Sequence, residues 1–388
     1  MKVKKLLAVL LTALLICTAL APAAFAEQTR AEKANLKFRD DGSFRIVNYA
    51  DLQDDETLSG LTKSFIRKSM KELKPDLVVL TGDNIAGYST ETTFMSTIAI
   101  RQYMDIFESI GVPVAIVFGN HDDDDDNEMT KEDQMAFYET YKCNVSFDEG
   151  EAIDGVGTYN VPIYASNGDG TVKFNIWMID SGTYDPVNGG YDHIKQSQID
   201  WYKATSARLA EENGGKVPSM AFQHIVVPEI YDALEETDAE HAAISARGTY
   251  YKLPDTAAEG SVLGEPPCPG TVNGGEFAAM KEGGDVIGIV CGHDHVNDFV
   301  IPYEGIDLIN TPTCGFASYG NAETRGVRVI DLKENDPWHY TTFVARFEDV
   351  MKNDVATMLI YKIRNFFMDL WETRLEPIWD KFTALFEK

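Results

Sequence analysis

The chain has 388 residues, 62 of them acidic and 34 basic, for a net charge of −28. Hydrophobic residues make up 44% and charged residues 25%, which excludes a disordered, collagen-like or coiled-coil chain and fits one large globular domain or two ordinary ones. The acidity argues against binding that runs on neutralising phosphates, so neither a nucleic-acid polymer nor an anionic lipid surface is an expected partner.

The N-terminus reads as an address. Lys2, Lys4 and Lys5 precede an uncharged apolar run from Leu6 to Leu20, and Ala24-Phe25-Ala26 has the small-x-small form of a cleavage site. Residues 1–26 are expected to be a signal peptide, giving a secreted or cell-envelope protein that begins at Glu27. The apolar run is shorter than the roughly 20 residues a span requires, so no integral membrane segment is expected after cleavage. Cleavage removes three lysines and no acid, which deepens the net charge from −28 to −31. Cys143, Cys268, Cys291 and Cys314 remain, in a compartment that permits disulfides. Four cysteines allow three full pairings, and the sequence does not choose among them. Cys291 closes an apolar run and reads as a buried free thiol.

Along the mature chain, strand patterns end in polar clusters. Phe44 to Ala50 reads as a strand and leads to Asp51; a helical pattern over 61–74 follows. Asp76 to Thr81 is a buried strand running into Gly82-Asp83, and 93–110 is helical. Val114 to Phe118 runs into Gly119-Asn120-His121-Asp122, with a helix near 130–141. A strand at 172–179 and a helix at 195–212 precede Met220 to Gln223, which ends at His224. Val286 to Cys291 leads into Gly292-His293-Asp294-His295, and short strands are predicted at 297–302, 306–310, 326–332 and 339–347. Strands alternating with helices indicate an α/β fold, whose ligands gather beyond the carboxyl ends of its strands. The Gly- and Pro-rich loop 252–275 is expected to shape a rim. The helical pattern over 353–387, with a break at Pro377, is expected to dock its aromatic residues on the body.

Asp51, Asp83, Asn120, His224, His293 and His295 are oxygen and imidazole donors suited to Mn, Zn, Fe or Ni. No one of them carries the reading alone, because a lone Gly-Asp is more often a turn and a lone His more often structural. The His-x-His spacing puts two rings on one side of an extended chain. Four of the seven histidines fall in these clusters, more than packing readily explains. Two divalent ions need one bridging ligand and several terminal ones. Asp83 could bridge, with Asp51 and His295 completing one ion and Asn120, His224 and His293 the other.

The ordered series Asp51-Leu-Gln53, Gly82-Asp83-Asn84, Gly119-Asn-His-Asp122, His224 and Gly292-His-Asp-His295 resembles the calcineurin-like metallophosphoesterase superfamily. Phe222 to Glu229, Gly292 to Phe299, and the stretch Asp180-Ser-Gly, Gly190-Tyr and Gln198-Ile-Asp-Trp201 look like the small purple-acid-phosphatase-like phosphatases of plants and fungi. The resemblance covers roughly residues 43–332. It implies a four-layer αββα sandwich, two mixed β-sheets face to face with helices outside, over residues 27–350, with 351–388 a C-terminal helical extension. It implies two divalent metal ions (Mn, Zn or Fe), one held by Asp51, Gln53, Asp83 and His295 and the other by Asp83, Asn120, His224 and His293. His121 would be the catalytic histidine, with Asp122 supporting it.

Two positions depart from the family pattern. The first motif is usually Asp-x-His, whereas this chain has Gln53, a poorer donor than imidazole to a borderline ion. Where true purple enzymes carry a tyrosine this chain has Ala86, so no tyrosinate-to-iron colour is expected. The rest of the acidic run from Asp122 to Asp126 is read as a solvated loop. The resulting expectation is a secreted phosphomonoesterase for small esters, working by in-line attack of a metal-bound hydroxide. The alternatives are a phosphodiesterase acting on nucleotides, lipid headgroups or wall polymers, and a non-catalytic binding protein on the same scaffold. Segments 141–171 and 231–275 are expected to form the substrate rim.

Overall fold

The structure is a computed structural model that describes residues 36–150 and 152–370. The signal peptide over 1–26, the start at Glu27 and the helical pattern beyond Leu370 lie outside the described residues.

Five strands form one sheet in the order β15-β14-β2-β3-β4: β2 (Ser43–Tyr49), β3 (Leu77–Thr81), β4 (Val114–Val117), β14 (Gly326–Lys333) and β15 (Tyr340–Arg346). β2, β3 and β4 are parallel, and β14 and β15 complete the sheet antiparallel. Seven strands form the other sheet, in the order β1-β5-β6-β7-β11-β13-β12: β1 (Leu36–Lys37), β5 (Tyr159–Tyr164), β6 (Val172–Met178), β7 (Ser219–Phe222), β11 (Val286–Cys291), β12 (Phe299–Tyr303) and β13 (Ile306–Asn310). Both sheets are mixed.

The strands are apolar on both faces because both faces are covered. Between the sheets, Ile46, Val79 and Val117 meet Ile176, Phe222, Val290 and Ile309. On the outer face of the five-stranded sheet, Val47, Leu80 and Ile116 share a core with Phe65 and Ile66 of α1 (Gly60–Leu73) and Tyr103 and Phe107 of α2 (Thr93–Ile110). On the far side, Trp177, Ala221 and Ile289 pack with Tyr202 and Leu209 of α4 (Gln196–Asn213) and Phe277 and Met280 of α6 (Glu276–Gly283). Four layers result, αββα. The other helices are α3 (Lys131–Tyr138), α5 (Ile230–Ala233), α7 (Phe347–Met351) and α8 (Val355–Leu370). A three-stranded sheet, β8 (Glu235–Thr237), β10 (Thr249–Lys252) and β9 (Ile244–Ala246), lies inside the segment expected to form a rim.

Local signals set the helix ends. Ser59 Oγ accepts from Leu61 N at 3.2 Å to start α1, and Thr92 Oγ1 accepts from Met95 N at 3.2 Å to start α2. Gly111, at φ 76°, ends α2 in the left-handed conformation. α8 seats Tyr361 in the core beside Phe316 and Phe347, so this part of the C-terminal segment docks on the body. Phe366 and Phe367, two of the aromatic residues expected to dock, are instead exposed, with Leu359, Ile360 and Ile363.

The structure amends several expectations. Segment 141–171 is not rim: its centre is β5, paired with β1 and β6. α3 is shorter than the helix expected over 130–141, and α6 falls where no helix was expected. Cys268, Cys291 and Cys314 are free thiols, and of the four cysteines only Cys268 is exposed.

Candidate metal centre

The strands β2, β3, β4, β7 and β11 end side by side, and their next residues turn sharply to gather polar groups at one place. Among the described residues, seven besides glycine have left-handed φ, and Asp51 (51°), Gln53 (38°), Asp83 (47°) and His293 (70°) are four of them. Such conformations are disfavoured for side-chain-bearing residues and collect where function requires a fixed direction. Neighbouring glycines make room. A Cβ on Gly119 would collide with the Asp83 carboxylate, and one on Gly292 would stand 2.8 Å from Asp51 Oδ2.

The donors form two groups that share Asp83. One contains Asp83, His224 and His293, the other Asp51, Asp83 and His295. In the first group His224 Nε2 lies 3.2 Å from Asn120 Oδ1, 3.2 Å from His293 Nδ1 and 3.3 Å from Asp83 Oδ2. In the second, His295 Nε2 lies 3.4 Å from Asp51 Oδ1. Gln53 is buried near these groups in sequence, and its Oε1 has no partner among the described residues; His293 Nε2 also has none.

The donor chemistry fits divalent ions. Asp51 and Asp83 are 0% and 1% exposed, and two carboxylates so buried require compensating positive charge. Burial alone would raise the Asp83 pKa, but His224, His121 and His293 hold it below the usual carboxylate range. Burial opposes a charge on His224, and Asp83 and Asp51 outweigh it to raise that pKa. The other ring nitrogens are anchored: His224 Nδ1 faces Thr81 O at 2.8 Å, and His295 Nδ1 faces Tyr319 O at 3.1 Å. Each bond fixes a ring so that Nε2 points to its carboxylate, an arrangement that metal-binding histidines favour. Asp51, Asp83 and His295 would hold one ion, and Asp83, His224 and His293, with Asn120 beside His224, the other; no side-chain hydrogen bond joins Gln53 to either group among the described residues.

His121 and Asp122 sit at this centre in different roles. The His121 backbone N donates to Asp83 Oδ1 at 2.8 Å, and its ring packs edge-on to Tyr88 at 5.1 Å. His121 Nδ1 lies 2.9 Å from Asp124 Oδ2, and burial is outweighed by Asp124 and Asp83, which raise the imidazole pKa. Asp122 does not support the ring. Its carboxylate accepts from the backbone N–H of Gly119 (2.7 Å), Asn84 (2.9 Å) and Ile85 (3.0 Å). It ties the turn after β3 to the turn after β4, the place of a positioning residue. Asp124, read from sequence as part of a solvated loop, is the residue that holds His121.

Four tyrosines border the cluster; the motif stretch included Tyr191, and no sequence signal singled out the other three. Asn120 Nδ2 donates to Tyr184 Oη at 3.0 Å, and Tyr184 stacks on Tyr191. Tyr191 meets His293 edge-on at 4.3 Å, and Tyr319 stacks flat on His295 at 4.1 Å. Tyr88, Tyr184 and Tyr319 remain exposed. The rim therefore comes from 184–191 and 319 as well as from 231–275, whose Glu265 accepts from Tyr319 Oη at 3.0 Å. The motif strings around 180–201 act as scaffolding. Lys131 Nζ reaches buried Asp180 at 3.0 Å, Ser181 Oγ accepts from Ile225 N at 3.0 Å, and Gln198 Nε2 donates to Asp180 O at 2.7 Å.

Comparison with known proteins agrees with this geometry. The family profile described as calcineurin-like phosphoesterase matches residues 44–297. The chain is 30% identical over 336 residues to "Probable inactive purple acid phosphatase 14" of Arabidopsis thaliana, covering 78% of each chain. It is 28% identical over 292 residues to "Phosphatase DCR2" of Saccharomyces cerevisiae, covering 69% of this chain and 46% of that protein. Among solved structures, a dimetal phosphatase from Danio rerio aligns with a TM-score of 0.47 and 13% identity, over 78% of this chain and 98% of that one. With its profile match spanning most of the described fold and every strand-end motif, the chain belongs to the calcineurin-like phosphoesterase family, as a metal-dependent phosphoric ester hydrolase.

Proposed function

We propose that the chain is an exported phosphomonoesterase for small esters. The observation that carries the reading is the pair of donor groups sharing Asp83, with His121 bonded to the same carboxylate. The two ions, when bound, supply Lewis acidity that neutralises phosphate oxygens and acidifies water. Asn120, an uncharged amide, would leave its ion a stronger electrophile than a second carboxylate would. Asp124 holds His121 through Nδ1, which frees Nε2 to protonate the leaving oxygen. The signal-like segment at residues 1–26 supports export. The body's net negative charge disfavours a long anionic polymer as substrate. No helix among the described residues is long and apolar enough to cross a membrane.

A second reading has a specific basis. The Arabidopsis relative is named inactive, and this chain places Gln53 where the family's first motif usually has His. On that reading the scaffold binds a phosphate ester without turning it over. The deciding experiment strips the purified chain with chelator, restores Mn, Zn or Fe, and assays an aryl phosphomonoester beside an aryl phosphodiester. Metal-dependent turnover favouring the monoester is expected. Preference for the diester would replace monoester with diester in the proposal, and a folded, metal-loaded chain without turnover would select the binding protein.

A further inference from the structure

A cavity of about 560 Å³ borders Tyr319. It is lined by Tyr319, Gly320 and Asn321 from one loop and by Arg364, Asn365 and Met368 from α8. Tyr319 also stacks on His295 at 4.1 Å, so the cavity shares a wall residue with the surroundings of the metal donors.

One arginine, Arg364, lines the cavity, and a second, Arg325, is buried behind Gly320, in a chain with 62 acids and 34 bases. Arg364 Nη2 donates to Phe316 O at 3.0 Å, and no carboxylate pairs with it among the described residues. Arg325 is 2% exposed and lies over the Phe316 ring at 4.6 Å, on the same aromatic as Arg364 at 5.5 Å. Its Nη1 has no hydrogen-bond partner, and it forms no ion pair among the described residues. Asp54 acts on it only at a distance, while Arg364 repels it. Gly320 lines the cavity directly over this guanidinium: a Cβ at 320 would collide with Arg325 Nη2. A buried cation without a counter-ion is costly, and an anion arriving from outside would relieve it. Arginine also suits phosphate and carboxylate oxygens through its planar fork.

We infer that this cavity is a subsite for a second anionic group of the substrate, so that the preferred esters carry a phosphate at the metal centre and another anionic group against Arg364, with the buried charge of Arg325 behind it. The inference rests on the phosphoesterase reading of the adjoining site. It gives α8 a part in substrate selection as well as in packing.

The test uses the full mature chain and two measurements. In the metal-loaded form, KM is compared for alkanediol bisphosphates of increasing length and for the matching monophosphates. The expected result is a KM about tenfold lower for the best bisphosphate, as one charge-assisted contact would give. Arg364→Ala should bring the ratio close to one, and Arg364→Lys should restore part of it. In the chelated form, inorganic phosphate should bind saturably to the wild-type chain and lose that binding in Arg364→Ala. Equal KM values across the series, or phosphate binding indifferent to Arg364→Ala, would overturn the inference. If no ester is hydrolysed but phosphate binding still depends on Arg364, the catalytic reading falls and the anionic site stands.

Discussion

His121 and Asp83 are joined by a 2.8 Å hydrogen bond, yet they should respond differently to substitution. His121→Ala removes a proton donor and no metal ligand. It should keep the metal content and lower kcat by about 10²–10⁴-fold, the usual range for a general acid. Asp83→Asn weakens the one carboxylate common to both donor groups and should reduce bound metal below two equivalents in elemental analysis. Gln53 gives a gain-of-function test. Its Oε1 is buried without a partner among the described residues, and imidazole is the better donor to zinc. Gln53→His should tighten zinc at the site shared with Asp51 and His295, read by competition with a chromogenic chelator. At this scale the donors were legible because each stands within a few residues of a strand end. Asp124 was hidden inside an acidic run that looked solvated. Tyr319 was hidden because its partner His295 lies 24 positions away on another loop.

At the scale of elements, strands with continuous apolar runs were readable and those with mixed signals were not. β5 carries Pro162, which argues against a strand, but its place near the sheet edge between β1 and β6 tolerates the missing donor. α6 begins after a Gly-rich stretch and has only eight residues, too short for a clear period. Its first residue, Glu276, is buried, with Oε1 unpartnered and Oε2 accepting from Gln223 at 3.2 Å. Burial pushes its pKa up to about 8 from 4.5. Between these values the native chain keeps a proton that the unfolded chain has released, so stability falls as pH rises across the window. Glu276→Gln should flatten this decline, seen as a smaller loss of Tm from pH 5 to pH 8. An unchanged slope would mean that the carboxyl ionises as readily in the folded protein as in the unfolded one.

On the scale of the whole molecule, the layers could be named from the motif series, whereas the rim could not. Layers follow from apolar periodicity, which is local. Rims are made by loops whose neighbours are set only once both sheets have packed. The donors are divided between those sheets: Asp51, Asp83 and Asn120 follow strands of the five-stranded sheet, and His224, His293 and His295 follow strands of the seven-stranded one. Bound ions therefore act as rivets between two plates. Chelation should lower Tm, since ligands that bind only the native state stabilise it by mass action. Amide exchange should quicken first in the turns at 51–54, 82–85 and 119–122, and then at the strand ends facing across the seam. Uniform acceleration over the whole chain would mean that the ions secure no particular joint. A molecule riveted at one edge can still splay at the other, which gives the face opposite the metal freedom to breathe while the donor atoms keep their spacing.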